Sequence, residues 1–257
     1  MIKLGFISIH LYSICLIIGI FLGYYFTLKE SASHGFNKDE ISDFIFNGVL
    51  IGIVGARLYY CIFNYDYYFP NVINIFKVWE GGLAIHGGII ASLVYIVFYC
   101  YRKKYNCLKI LDYVVLGLII AQAIGRWGNF FNGEAHGPVT SLKHLQSLFL
   151  PKFIIDGMYI DGAYYIPTFL YESLWCFIGF ILMYLFRNNS KNRVGYLTGF
   201  YSVWYGLERF VVEALRMDSL MFFSFKIAQI VSVFMFVFGL VVLIYSFKKD
   251  ILYNKKV

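Results

Sequence analysis

Ionisable side chains interrupt several strongly apolar stretches of the chain, and they are the residues best placed to do chemistry. They are Arg57, His86, Arg126, Glu134, Glu172, Glu208, Arg209, Glu213 and Arg216. An arginine near the centre of a membrane helix costs about 2.5–3.5 kcal/mol on insertion scales, so it faces a protein interior or a wet cavity and finds a counter-charge. Two interpretations follow: internal ion pairs that fix helix packing, or a site that binds an anion.

The segment 81–88 reads GGLAIHGG and places His86 between glycines. Glycine lets a neighbouring backbone or a ligand approach closely. An unperturbed imidazole titrates near pH ~6.5, which suits proton transfer at neutral pH. His86 is therefore a candidate general base, with a packing histidine as the alternative.

The segment 125–134 reads GRWGNFFNGE and ends an apolar stretch. Arg126 offers a planar five-donor fork that fits a phosphate or a carboxylate. Asn129, Asn132 and Glu134 could hold hydroxyl groups beside it, and Gly128 and Gly133 are predicted to break the helix so that these groups converge. A polar helix end with a C-cap is the alternative.

A further stripe of polar residues lies near the C-terminus. Tyr205, Arg209, Glu213 and Arg216 fall within about 80° of arc on a helix. They form either a static ion-pair ladder or a surface on which Glu213 orients Arg209 towards a ligand. Tyr171 and Glu172, just after Pro167, supply another acid at the start of an apolar stretch.

The composition indicates the elements that hold these residues. The 257 residues are 60% hydrophobic and 14% charged, with a mean hydropathy of +0.67, whereas a soluble domain carries about 25% charged residues. We predict an all-α polytopic membrane protein, one domain over residues 1–257, with about seven transmembrane helices. They cover about residues 4–26, 43–63, 83–101, 110–127, 167–186, 195–214 and 226–247, with ends defined only to within several residues.

The charge pattern predicts the orientation. Basic residues follow the first, third, fifth and seventh stretches, around residues 29–38, 102–104, 187–193 and 248–256. The positive-inside rule then predicts an outer N-terminus, a cytoplasmic C-terminus and an outer-side insertion around residues 128–166. The stretch 4–26 exceeds the apolar core of a signal peptide, so we interpret it as an uncleaved span. This clustering in short loops explains the net charge of +7 without a nucleic-acid partner.

The cysteines predict neither a metal site nor a disulfide framework. Cys15, Cys61, Cys100, Cys107 and Cys176 show no metal-ligand spacing and lie mostly in or beside apolar stretches. We expect no metal and no cofactor. His86, Arg126 with Glu134, and Glu172 all fall at predicted outer ends, which indicates an anion-binding cavity at outer-leaflet depth with one candidate base. A phospholipid headgroup is its natural ligand.

These motifs, in this order, resemble the prolipoprotein diacylglyceryl transferase family over nearly the whole chain. The matching segments are 10–12 (HLY), 55–57 (GAR), 86–88 (HGG), 125–134, 167–172 (PTFLYE) and 205–209 (YGLER). Ser13, Ile166 and Phe169 depart from the usual pattern, and none of them is assigned to chemistry. Of these matches the segment 125–134 is the most specific.

The resemblance implies a membrane transferase that moves a diacylglyceryl group from phosphatidylglycerol to the lipobox cysteine of a preprolipoprotein signal peptide, with glycerol phosphate as leaving group. It implies that His86, Arg126 and Arg209 are the catalytic residues, with His86 either a base or a positioning residue. With the site residues above, the predicted substrate-binding residues are Tyr12, Arg57, Asn129, Asn132, Glu134, Gly137, Tyr171, Glu172, Tyr205, Glu213 and Arg216. The predicted location is the bacterial cytoplasmic (inner) membrane.

The main alternative is a transporter or flippase for an anionic solute or lipid, because buried charges also mark transport paths. That class favours inverted-repeat halves with interrupted helices, and the sequence has no such symmetry. An intramembrane protease is not indicated, because the sequence has neither a His-Glu-x-x-His motif nor a pair of intramembrane aspartates. A non-catalytic scaffold leaves the convergent polar groups unexplained.

Overall fold

The computed structural model describes residues 2–4, 7–9, 11–78, 81–187, 193–216, 221–222 and 225–249. Seven long helices dominate it: α1 (Leu11–Ser33), α2 (Lys38–Phe63), α4 (Ile85–Lys103), α5 (Cys107–Asn132), α8 (Thr168–Phe186), α9 (Tyr196–Leu215) and α10 (Ile227–Lys249). The short helices are α3 (Tyr65–Tyr68), α6 (Leu142–Ser147) and α7 (Lys152–Gly157), with a 3₁₀ turn at Val72–Phe76. The strands are β1 (Ile2–Leu4), β2 (Ile7–Ile9), β3 (Val139–Thr140), β4 (Tyr159–Ile160), β5 (Ala163–Tyr165), β6 (Met221–Phe222) and β7 (Phe225–Lys226).

The prediction of an all-α polytopic membrane protein is confirmed. Within the described ranges, six helices are long and apolar enough to cross a membrane: α1, α2, α4, α5, α8 and α10. The sixth predicted span, 195–214, corresponds to α9, which carries Glu208, Arg209 and Glu213 and is not among these six helices. Seven is therefore an approximate count of spans. His10, Lys191, Lys255 and Lys256, which entered the sequence predictions, lie outside the described residues.

Two predicted boundaries were wrong. The first helix begins at Leu11 rather than at residue 4, because β1 and β2 pair as an antiparallel hairpin before it, and hydropathy alone does not separate a short strand from a helix. Helix α5, which corresponds to the fourth predicted span, continues to Asn132. Gly128 does not break it, since this glycine is a contact point for the Tyr12 ring, 2.8 Å from the position of an added Cβ. The insertion thus begins at Gly133, with φ +66°.

The structure divides into two compact units, and the first comprises Met1–Lys29 and Leu111–Val257. Its core lies among α5, α8 and α9, with Leu116 and Ile119 of α5 and Cys176 and Met183 of α8 almost fully buried. The N-terminus of α9 is capped from a distance by Asp112, whose carboxylate accepts hydrogen bonds from Gly195 N at 2.6 Å and Thr198 N at 2.7 Å. The arginine-bearing helices α5 and α9 are thereby fixed to each other.

The insertion between α5 and α8 forms a small folded cap on this unit. Its three strands pair antiparallel in the order β3-β5-β4, and α6 and α7 enclose an apolar cluster with them. The buried members of that cluster are Leu145, Ile154, Ile155, Met158 and Phe169. Because Phe169 belongs to the first turn of α8, the cap fixes the start of the helix that carries Glu172.

The second unit comprises Glu30–Ile110 and is built on the α2–α4 pair. These helices approach closely through glycines: an added Cβ on Gly55 would lie 2.8 Å from the carbonyl oxygen of Gly87. Small residues at such a contact let two helix backbones pack tightly. The same contact sits one residue from His86, so close packing positions the start of α4. The prediction of one domain over residues 1–257 stays a prediction.

Candidate functional site

The centre of the first unit is a carboxylate shared by two arginines from different helices. Glu172 of α8 is 1% exposed; its Oε2 lies 2.8 Å from Arg126 Nε of α5, and its Oε1 lies 3.0 Å from Arg209 NH1 of α9. Arg209 NH2 in turn lies 2.7 Å from Glu213 Oε2. Since each charge is largely removed from water, the pairs are needed to offset desolvation. The sequence-predicted residues Arg126, Glu172, Arg209 and Glu213 are thus brought together.

Arg126 uses one of its three guanidinium nitrogens in contacts with the described residues. Its guanidinium carries five N–H groups, and only Nε is engaged, by Glu172. Among the residues that the structure describes, its two terminal nitrogens have no recorded hydrogen-bond or ion-pair partner, and its side chain is 16% exposed. Its terminal nitrogens can therefore present a two-pronged donor to a phosphate or carboxylate.

Hydrogen bonds between α5 and α8 hold Glu172 and Arg126 in position. Trp127 Nε1 donates to Ser173 Oγ at 3.1 Å, and Ser173 Oγ donates to the Ala123 carbonyl at 2.8 Å. These two hydrogen bonds hold α8 against α5 within one residue of both Glu172 and Arg126. Ser173 was not among the sequence-predicted residues, because a serine in an apolar helix carries no signal of its partner.

Asn129, Asn132 and Glu134 also converge, at the end of α5. The Nδ2 groups of Asn129 and Asn132 donate to Glu134 Oε1 at 3.1 and 3.4 Å, and the Glu134 backbone N–H donates to the Asn129 carbonyl at 3.1 Å. The turn is made by Gly133 at φ +66° and Ala135 at φ +57°. The amide oxygen of each asparagine can accept a hydrogen bond from a hydroxyl group.

Tyr12 and Gly137 occupy positions beside this turn. The Tyr12 ring packs on Gly128, and its hydroxyl is within electrostatic range of Glu134 and Arg126. Gly137 N donates to the Ile166 carbonyl at 2.9 Å, and a Cβ at Gly137 would crowd Ile166 and Thr168 at 3.0 Å. Gly137 therefore fixes the segment that leads into α8. Tyr12 lies near Arg126.

Three of the four residues of the predicted stripe, Tyr205, Arg209 and Glu213, lie on α9, and the fourth, Arg216, does not. Tyr205 stacks on Tyr201 with ring centroids 5.6 Å apart and lies within electrostatic range of Arg126 and Arg209. Arg216 is not on the helix: α9 ends at Leu215, and Arg216 has extended backbone angles, φ −79° and ψ 138°. Lys226 Nζ donates to the carbonyls of Glu213 and Arg216 at 2.7 and 2.8 Å, so it caps the helix end.

Tyr171 precedes Glu172 in the sequence but points to another side of α8. It is half-buried, and no hydrogen bond connects it to Glu172 or Arg209 within the part of the chain that the structure describes. Its predicted role in substrate binding stays a prediction without support from the geometry.

Arg57 has a different environment from Arg126. Its five N–H donors meet five backbone carbonyls: Nε donates to Ile75, NH1 to Gly81 and Gly82, and NH2 to Asn74 and Lys77, at 2.5–3.1 Å. The side chain is 4% exposed, and the guanidinium lies over the Tyr68 ring. Every donor is used within the protein, so the geometry favours a structural role for Arg57 in the loop before α4.

His86 lies in that second unit, in the first turn of α4, with an exposed side chain. Its ring centroid is 6.3 Å from that of Tyr59, and the turn is held by the Ala84 N–H donating to the Ala56 carbonyl at 3.0 Å. The imidazole is therefore free to meet a ligand on a rigid support.

Glu208 is the main residue that the sequence left unassigned. It faces the same interior as Arg209 on α9 and is 2% exposed. Both of its carboxylate oxygens are buried without a hydrogen-bond partner among the described residues. Its signal in the sequence was a charge in an apolar helix, which does not distinguish it from Glu213.

The geometry defines a class of protein: a multi-pass membrane protein whose helices hold a paired-arginine site suited to an anion. The chain matches the model of the family described as "Prolipoprotein diacylglyceryl transferase" over residues 1–245. It is 45% identical, over 249 residues, to the phosphatidylglycerol–prolipoprotein diacylglyceryl transferase of Streptococcus pneumoniae serotype 4, covering 96% of this chain and 94% of that protein. The relative of the same name from Streptococcus pneumoniae strain JJA gives the same values. The chain therefore belongs to the prolipoprotein diacylglyceryl transferase family.

Replacing Glu172 with Gln should destabilise the protein more than any other single neutralisation in the cluster. Both arginines lose their shared counter-charge, and breaking a buried pair in this way costs about 3–5 kcal/mol. Glu213→Gln is the matched control, because Arg209 then keeps Glu172. Unfolding free energies measured in detergent micelles check the order, and equal losses in the two variants would contradict the central role of Glu172.

Arg57→Lys should loosen the loop before α4 while the charge is kept. Lysine has three donors for five carbonyls, so at least two hydrogen bonds are lost. We expect hydrogen exchange at residues 74–78 and 81–82 to rise by about tenfold or more. Arg102→Lys, at an exposed position on α4, is the control. Unchanged exchange in the Arg57 variant would show that the carbonyl contacts do not hold the loop.

Proposed function

We propose that this protein transfers the diacylglyceryl group of phosphatidylglycerol to the thiol of the lipobox cysteine in a preprolipoprotein, releasing glycerol phosphate. The observation that carries the proposal is the pair Arg126 and Arg209, held by one buried glutamate with the terminal nitrogens of Arg126 still available. Relatives that are 45% identical carry the name of this activity. The reaction is the first step of lipoprotein maturation in bacteria. The proposed location is the cytoplasmic membrane, with the N-terminus of the protein outside and its C-terminus in the cytoplasm.

The arginine pair suits the phosphate of the lipid headgroup. A phosphodiester carries one negative charge, and a guanidinium fork binds its oxygens bidentately. Glu172 and Glu213 are the counter-charges that hold the two arginines in place. Entry of the phosphate then adds an anion to donors that are already oriented, so little reorganisation is needed.

The chemical step is a displacement at carbon. The thiol of the peptide gives up its proton, and the thiolate attacks the glycerol carbon that bears the phosphate ester. A C–S bond forms as the C–O bond breaks, and the electron pair stays on the oxygen of glycerol phosphate. That leaving group gains a negative charge in the transition state, and Arg126 and Arg209 are the proposed groups that stabilise it.

His86 is the proposed acceptor of the thiol proton. A free thiol has a pKa of about 8.5 and reacts as the thiolate, so a base raises the reactive fraction at neutral pH. The exposed imidazole in the first turn of α4 is suited to this role. The proton then passes from the imidazole to solvent, and glycerol phosphate leaves as an anion, which completes the proton balance.

Asn129, Asn132, Glu134, Tyr12 and Tyr205 are proposed to line the lipid headgroup, since they border Arg126 or converge at the end of its helix. Gly137 is proposed to hold the segment before α8, and Glu213 and Arg216 the end of α9, so that these three residues support the site. Arg57, on α2, is proposed to hold the loop before α4 through its hydrogen bonds to backbone carbonyls.

The direct experiment uses purified protein in detergent with phosphatidylglycerol and a synthetic lipobox peptide. Transfer is followed by release of glycerol phosphate and by the mass of the lipidated peptide. The same peptide with its cysteine replaced by serine is the control. Product that depends on the cysteine supports the transferase, whereas folded protein that moves labelled lipid across vesicles without transfer would support a transporter or flippase instead.

Arg126→Lys should lower kcat/KM by about 100-fold or more, although the positive charge remains. Lysine cannot provide the bidentate fork, and loss of one preorganised donor to a developing anion costs about 10²–10³ in rate. The Cys-dependent release of glycerol phosphate measures the effect, with Arg102→Lys as the control. Full activity in Arg126→Lys would remove this arginine from the proposed mechanism.

His86→Gln should lower kcat by about 10²–10⁴-fold, the usual contribution of a general base. The remaining rate should rise with pH as the free thiol of the peptide ionises in solution. His144→Gln, at an exposed position in α6, is the matched control. Near wild-type turnover across the pH range would exclude His86 as the base.

A further inference from the structure

Glu208 is a buried acid that the proposed mechanism does not use. Glu208 lies on α9 and is 2% exposed. Neither its Oε1 nor its Oε2 accepts a hydrogen bond from any residue that the structure describes. A buried polar group without a partner costs free energy, so an orphan of this kind in a folded protein calls for an explanation. The explanation must supply donors that are absent from the chain itself.

The neighbouring arginines do not provide those donors. Glu208 is within electrostatic range of Arg126, Arg209 and Glu172. In the described part of the chain, however, Arg126 Nε pairs with Glu172, and the two terminal nitrogens of Arg209 pair with Glu172 and Glu213. Glu208 is therefore a third carboxyl in a cluster whose ion pairs are formed without it.

Space for a ligand exists on the helix that carries Arg126. A Cβ added at Gly125 would meet no atom within 4 Å. Gly125 shares a face of α5 with Gln122 and Asn129, at spacings of three and four residues. This face combines open space with polar side chains, and Arg126 lies at its edge.

A ligand that satisfies both features carries an anion for the arginines and hydroxyl donors for Glu208. A phosphate ester of a polyol has both, because its hydroxyl groups lie only a few bonds from the phosphate. A phosphate ester of a simple alcohol has the anion alone. The difference between these two headgroups is the difference that Glu208 can detect.

We infer that Glu208 accepts hydrogen bonds from the glycerol hydroxyls of the lipid headgroup and so selects a polyol phosphate over other anionic lipids. The inference rests on the proposed function and adds a specificity-determining residue to it. Arg126 and Arg209 bind what all anionic phospholipids share, and Glu208 reads the part that differs.

The test compares phosphatidylglycerol with phosphatidylpropanol, which has the same charge and headgroup length but no free hydroxyl. The ratio of kcat/KM for the two lipids is measured from the lipidated peptide, whose mass does not depend on the leaving group. The wild-type ratio should be about 10- to 100-fold, the size expected from hydrogen bonds to a charged group. Glu208→Met, which has no acceptor, should reduce the ratio to about threefold or less.

Glu208→Gln separates hydrogen bonding from charge, because its amide oxygen still accepts while the charge is gone. An intermediate ratio in this variant supports the inference. Equal ratios in Glu208→Gln and Glu208→Met would mean that only the charge matters and would overturn it. A wild-type ratio kept in Glu208→Met would overturn it as well. Val211→Met, on the exposed face of the same helix, is the control for the added methionine.

A binding measurement separates failure of this inference from failure of the proposed function. Short-chain forms of both lipids are titrated into the detergent-solubilised protein, and the ratio of Kd values is compared among the same variants. A binding preference that Glu208→Met removes supports the role of Glu208 even where no peptide is lipidated, in which case only the transfer reaction fails. The absence of any binding preference in the wild type overturns the inference.

Discussion

The shared carboxylate of Glu172 is the interaction on which the rest of the site depends. It joins Arg126 on α5 to Arg209 on α9, so a single side chain of α8 links three helices and offsets two buried positive charges. The surrounding structure serves this contact: the insertion holds the start of α8 through Phe169, Ser173 fixes α8 on α5, and Asp112 fixes α9 to α5. Because a buried charge pair contributes little net stability once desolvation is counted, its value lies in the orientation it imposes on the arginines.

Two arginines of the same chain show how saturation of donors separates structure from function. Arg57 and Arg126 both lie in apolar helices, and the cost of a charge in such a helix does not by itself distinguish them. The first spends all five N–H groups on backbone carbonyls, whereas the second spends one on a carboxylate. A guanidinium with unused donors at a partly exposed position can bind a ligand, whereas one whose donors are all used holds the backbone in place.

The sequence predicted the helices well, because apolar stretches near 20 residues long have few other uses. It also identified Arg126, Glu172 and Arg209, since charges in such stretches are costly. It did not predict which acid would be shared, that Gly128 would receive the Tyr12 ring instead of ending α5, or that α9 would end before Arg216. It placed Arg57 with the substrate-binding residues and could not predict its backbone partners, because carbonyl groups belong to every residue and become partners only when a loop folds around them. These outcomes depend on contacts between segments that are distant in sequence.

The division of the charges among α5, α8 and α9 also governs how the protein can be made. Arg126 emerges from the ribosome before Glu172 and Arg209 exist as a folded pair, so α5 enters the bilayer with an uncompensated cation. Such a charge costs about 2.5–3.5 kcal/mol at a helix centre, and the ion pair that offsets it forms only when α8 joins α5. Until then, the glycine contact with α1 through Gly23 and Gly117 is available to α5. Completion of the site is thus tied to the order in which the helices are synthesised.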